Sequence, residues 1–200
     1  MNTKKKGNSF EVKIAKRLSK WATGRDKPLV FWHVGASGAQ STITNDITSP
    51  MIADVVAVHE GGMFLTDNVV IECKDDKRAN VLDFILTPKR KGFLNEAWEK
   101  VGHQADEAER LPWLIFHRPT TSLNYIVVCD NFYLNFESHL CELEGLTSMD
   151  GTVFIFELED FLDMIDPWVF AKVFNGVLKG QEVKERHTAL PTEETRLGFS

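Results

Sequence analysis

Three side chains in this 200-residue chain are spaced to act on one ion: Asp54, Glu72 and Lys74. Glu72 and Lys74 close the apolar run Val69-Val70-Ile71-Glu72-Cys73-Lys74, which reads as a strand. Side chains alternate along a strand, so Glu72 and Lys74 share one face and Cys73 points to the other. A second apolar run, Ile52-Ala53-Asp54-Val55-Val56-Ala57-Val58, carries one acid in its interior. Such an acid is costly to bury unless something binds it. Between the runs, Gly61-Gly62 suits a turn. A hairpin symmetric about Met63 sets position 54 opposite position 72, with Cβ atoms about 5 Å apart. Two carboxylates and an ammonium then converge on one patch, and carboxylate oxygens are the hard ligands that magnesium prefers. The plainer alternatives are a strand-end Asp54 bonded to a loop and a Glu72 that does no more than pair with a lysine.

Asp54, followed by Glu72-Cys73-Lys74 at the end of the next strand, resembles the PD-(D/E)xK nuclease superfamily, whose fold is restriction-endonuclease-like. Glu11 adds to the likeness, because many members keep an extra acid on the first helix. The helix opening Gly7-Asn8-Ser9-Phe10-Glu11, then a strand, then the Ser37-Gly38 loop, looks closest to Holliday junction resolvases of the archaeal and phage type. The resemblance covers about residues 7–117. Ala53 stands where a proline is common, a variation the superfamily tolerates.

What the resemblance implies is a metal-dependent DNA endonuclease. Asp54, Glu72, the Cys73 carbonyl and Glu11 would hold Mg²⁺ (or Mn²⁺), and Lys74 would orient water or offset charge. Ser37 would approach the metal site or the scissile phosphate, and Gln104 would reach the site from a later helix. Branched duplex DNA is the expected partner, cut by a homodimer in recombination or repair. A restriction-type or repair nuclease acting on other DNA, and a nucleic-acid-binding scaffold without catalysis, stay open beside it. Two positions have a competing local reading. Glu11 lies three residues after Asn8, the spacing of a capping box. Gln104 shares a helix face with Ala97, Val101 and Ala108, where a buried amide could bond backbone instead.

Phe10, Ile14, Leu18 and Trp21 recur at helical spacing and predict a helix over residues 8–23, capped by Asn8. Residues 29–34 predict a strand, and residues 35–50 a long polar loop. After the two acid-bearing strands come a short helix over 81–86, a helix over 94–109 and strands over 113–117 and 125–129. A helix over 132–143, a strand over 152–156 and helices over 158–165 and 168–177, broken at Pro167, complete the chain. This order predicts an α/β fold: a mixed central sheet flanked by helices, with a C-terminal α/β extension. One nuclease domain over residues 1–178 is expected, with its core at 7–117, the extension at about 120–178 and a flexible tail from 179.

The composition, 43% hydrophobic and 26% charged, is that of a globular protein. The net charge of −6 is unlike a duplex binder with evenly spread charge. The charge is uneven, however: Lys5, Lys6, Lys77, Arg78, Lys89, Arg90 and Lys91 form basic regions expected to meet DNA phosphates, and acids gather beyond Glu137. The three cysteines form no C-x-x-C pair, which argues for a reducing cytoplasm and against a zinc site. No apolar run reaches transmembrane length, so no membrane association is expected.

Overall fold

The computed structural model describes residues 3–34, 53–86, 92–118 and 121–178. The elements run α1 (Thr3–Thr23), β1 (Phe31–His33), β2 (Val55–Ala57), α2 (Glu60–Thr66), β3 (Val69–Asp75), α3 (Val81–Leu86) and α4 (Phe93–Glu107). They continue as β4 (Leu111–His117), β5 (Asn124–Cys129), α5 (Asp130–Leu140), β6 (Gly145–Thr147), β7 (Val153–Glu157), α6 (Leu158–Met164) and α7 (Pro167–Leu178). Among the described residues no helix is long and apolar enough to cross a membrane.

Five strands form a mixed sheet in the order β3-β4-β5-β7-β6. β3 and β4 run parallel, and the remaining pairs are antiparallel. The parallel pair is joined through α3 and α4, as a crossover requires. The strands past residue 120 are therefore integral to the central sheet, which they extend beyond β4. β3 is hydrophobic on both faces because both are covered. Val69, Ile71 and Cys73 join Phe10, Ile14, Ala15 and Leu18 of α1 in one buried cluster. Val70 joins Leu94, Ala97, Val101 and Ala105 of α4 in the other. The first cluster is rich in aromatic rings. Trp113 lies 5.4 Å from Phe132 and 5.5 Å from Phe161, both edge-on, a favoured aromatic geometry.

The predicted hairpin is not what joins the two acid-bearing segments. β2 pairs with β1 in a separate two-stranded antiparallel sheet, and α2 sits between β2 and β3. Gly61 and Gly62 lie inside α2, where His59 caps the helix by accepting the Gly61 N–H at 3.0 Å. Gly62 is there because α2 runs close over β1. A Cβ at this position would stand 2.7 Å from the Val30 carbonyl and 2.9 Å from the Phe31 ring. Gly62 marks close approach of two backbones, not reversal of the chain.

A second departure concerns α1, which begins at Thr3. Asn8 is thus inside the helix and cannot be its N-cap, so Glu11 is not the closing residue of a capping box. The smaller differences are at ends. α4 stops at Glu107, and Glu109 adopts a positive φ of 54°, the left-handed geometry that often terminates helices.

Candidate active site

The free edge of β3 and its carboxyl end bring the expected residues together. Asp54, just before β2, donates its backbone N–H to the Ile71 carbonyl at 2.8 Å. Its side chain turns back on the same strand, where Oδ2 accepts the Cys73 N–H at 2.7 Å. Asp54 therefore meets β3 at 71–73, the stretch expected for it, although not through a regular ladder.

Glu72 and Lys74 face α4. Glu72 is 1% exposed, and its Oε1 accepts hydrogen bonds from two ammonium groups: Lys74, its neighbour on the strand, and Lys100 of α4 at 2.8 Å. Burying a carboxylate this deeply requires such pairing. Lys100 is the residue that sequence reading did not single out. Its only sequence signal is its placement one helical turn before Gln104.

Glu11 reaches the same cluster from α1. Burial, then the charge of Asp54, pushes its carboxyl from an ordinary 4.5 to about 7; Glu72 adds to the rise and Lys74 opposes it. Asp54 is likewise pushed above the usual carboxylate range, by burial first and by Glu72 next, while the Cys73 N–H, Lys74 and Lys100 pull it back. Burial works against the charge on Lys74, but the hydrogen bond and charge of Glu72, then Asp54, outweigh it and hold the amine above its ordinary value. Glu11, Asp54, Glu72 and Lys74 thus feel one another's charge.

Cys73 packs its thiol into the α1-side cluster, and burial raises its pKa far above the usual range. The thiol lies on the face opposite Glu72 and Lys74, so any ligand this residue offers beside them is its carbonyl. Gln104 lies on α4 with its Oε1 buried and without a partner among the described residues. Lys77 is exposed. Arg78 is held by Asp76 through two hydrogen bonds of 3.0 and 2.9 Å and stacks over the Phe93 ring at 4.4 Å. Lys5 and Lys6 fall in α1, but their side chains are outside the described residues; so are Ser37, Lys89, Arg90 and Lys91 in full.

The donor set suits a hard divalent cation. It consists of carboxylate oxygens, and two of those groups are pushed toward the protonated form by burial and by mutual repulsion. A cation at that point would relieve the repulsion. Among the described residues no three His, Cys, Asp or Glu side chains are drawn into a cage. The reason is visible in the bonding: Glu72 holds two lysines, and Asp54 Oδ2 takes a backbone N–H.

A five-stranded mixed sheet flanked by helices, with Asp54 held against the strand that carries Glu72 and Lys74, is compatible with the restriction-endonuclease-like fold of PD-(D/E)xK nucleases. The chain belongs to the phage putative PDDEXK endonuclease family, whose model matches residues 2–167. No curated protein matches the chain, and no solved structure matches it.

Proposed function

We propose that this protein is a divalent-metal-dependent endodeoxyribonuclease and that Asp54, Glu72, Lys74 and Glu11 are its catalytic residues. The observation that carries the reading is the convergence of these four groups at β3, with Glu72 almost wholly buried beside two ammonium groups. A structural ion pair would not require two further carboxylates in the same field.

Asp54, Glu72, the Cys73 carbonyl and Glu11 would hold Mg²⁺ or Mn²⁺. A divalent cation supplies Lewis acidity and charge neutralisation to phosphodiester hydrolysis. The protein's own groups do the rest. Lys74, kept charged by Glu72, offsets negative charge growing on the phosphate oxygens. Glu11 brings a further carboxylate to the same charge cluster from α1. Lys100 fixes the Glu72 carboxylate from the α4 side, and Gln104 has an unmet acceptor one turn further along.

Among DNA substrates we place branched duplexes first. This choice is supported by the order of helix acid, Ser-Gly loop and paired strand acids, and paired cuts at a junction would need two copies of the chain. The test is incubation with plasmid and with a four-way junction, each with Mg²⁺ or with chelator. Cleavage should require the metal, and paired symmetric nicks should come faster at the junction. Equal rates on both substrates would remove the branch preference. Asp54→Asn and Glu72→Gln should each lower cleavage at least about a hundredfold while the fold survives. Full activity in either variant would overturn the site assignment.

A further inference from the structure

A single carboxylate oxygen in the acid cluster holds two ammonium groups. Glu72 Oε1 accepts from Lys74 and, at 2.8 Å, from Lys100, as many N–H donors as the lone pairs of one oxygen take. The two lysines are not held alike. Lys74 stands two residues from Glu72 on β3, on the same strand face, and its side chain is 27% exposed. Lys100 reaches in from α4 with its side chain 54% exposed. Among the described residues Glu72 is the only acid it pairs with. Its charge also extends to Asp54, whose carboxyl it draws back toward the usual range.

The charges around Glu72 set what the cluster can bind. With every group ionised, three carboxylates, Glu11, Asp54 and Glu72, outweigh two ammonium groups, Lys74 and Lys100, by one negative charge. Such a cluster repels a phosphodiester. With a divalent cation among the carboxylates the balance becomes one positive charge, the amount that one phosphodiester cancels. Without Lys100 the loaded cluster would be neutral. The same divalent charge pushes on both ammonium groups. Lys74 is tethered beside Glu72, whereas Lys100 sits on a flexible four-carbon stem that is half in solvent. Lys100 is therefore the one that leaves Glu72 more easily.

We propose that Lys100 is a phosphate-binding residue of the metal-loaded protein, which exchanges Glu72 Oε1 for a phosphate oxygen of the DNA when a divalent cation occupies the carboxylates. The inference rests on the nuclease reading. In the empty site Lys100 neutralises Glu72 and is not free to meet DNA. In the loaded site it turns outward, and its ammonium offers three N–H donors to the phosphate. Lys100 thus couples cation and DNA, so that each raises the affinity for the other by the same factor. A point charge on the backbone positions the strand without reading its sequence.

Affinity for a fluorescent duplex is measured by anisotropy in chelator and in saturating Ca²⁺, a hard cation that takes the same oxygen ligands. A gel shows that the duplex stays whole, and thermal melting checks the fold. In Ca²⁺, Lys100→Gln should weaken binding about tenfold, and Lys100→Arg should stay within about threefold of wild type. In chelator, Lys100→Gln should stay within about threefold of wild type, because the ammonium is then engaged with Glu72. An equal loss in both conditions, no loss in either, or an arginine variant that falls as far as the glutamine one would overturn the proposal. A second readout uses wild type alone and decides the matter if Lys100→Gln does not fold. Acetylation of Lys100 by an amine-directed reagent, followed by peptide mass spectrometry, should speed up when Ca²⁺ is added and slow again when duplex follows. A rate indifferent to Ca²⁺, or to duplex in its presence, would again overturn it. Wild type that neither binds duplex nor cuts DNA with Mg²⁺ removes the nuclease reading and this inference together. Wild type that does both, beside a Lys100→Gln variant whose loss ignores Ca²⁺, removes only the inference.

Discussion

Glu11 is the residue whose ionisation the fold changes most plainly. Burial and the charge of Asp54 lift its pKa from 4.5 to about 7, so the folded protein binds this proton more tightly than the unfolded chain. Its contribution to stability is complete below about 4.5 and is lost as pH rises through about 7. Glu11→Gln should therefore flatten the pH dependence of Tm across that window in metal-free protein. Above pH 7 the variant should melt higher than wild type; an unchanged profile would place Glu11 outside the charge cluster. Lys100 acts on the same ion site in the opposite sense. It competes for Glu72 Oε1 with any cation that would bind there. Lys100→Gln should tighten Mg²⁺ binding severalfold, read as the concentration giving half the metal-induced rise in Tm. Weaker binding would show that Lys100 organises the ligand more than it blocks it. The pairing of Glu72 with Lys74 was legible from two positions of strand alternation. Lys100 was not, because its contact exists only once α4 lies along β3.

At the scale of elements, the short β1–β2 sheet has to be fastened to the rest, and a single serine does much of this. Ser19 is wholly buried in α1. Its Oγ accepts the N–H groups of Val30 and Phe31, at 3.2 and 3.0 Å, and donates to the Ala15 carbonyl at 2.8 Å. Ser19→Ala would leave two buried N–H groups without an acceptor and should cost about 1–3 kcal/mol in denaturant unfolding. A loss below about 0.5 kcal/mol would mean that water replaces the hydroxyl. This bond was hidden in the sequence, where Ser19 reads as one more polar residue in an amphipathic helix. The glycine pair misled for a related reason. Gly-Gly has the same composition whether it reverses a chain or lets α2 approach the Val30 carbonyl, and only the neighbour decides which. The longer elements were legible because their apolar spacing repeats over several turns or residues, as in α4 and β4.

Across the whole molecule, a net charge of −6 must coexist with DNA binding if the nuclease reading holds. Part of the basic character of α1 is already spent inside the fold, since Arg17 pairs with Glu159 and Asp163 of α6. Arg78 is similarly taken by Asp76. Lys77 is exposed beside the site and is the better candidate for a phosphate contact. Lys77→Ala should weaken duplex binding and reduce the slope of log Kd against log salt by about one. An unchanged slope would take it out of the DNA footprint. The C-terminal third, with β5, β7 and β6, continues the same sheet, and its rings from Phe132 to Phe174 fill the α1-side cluster. Phe132, Phe136, Phe156, Phe161, Phe170 and Phe174 thus have a place in the interior.

The sequence by itself determined which residue types could meet at β3 and which face Glu72 and Lys74 would share. Those properties follow from local geometry: alternation along a strand, and the cost of leaving an acid alone in an apolar run. Tertiary structure alone decided the second lysine on Glu72 and the route that brings Asp54 to Cys73. Each of these joins residues on separate elements, and such contacts depend on how helices and strands pack, which no spacing along the chain encodes.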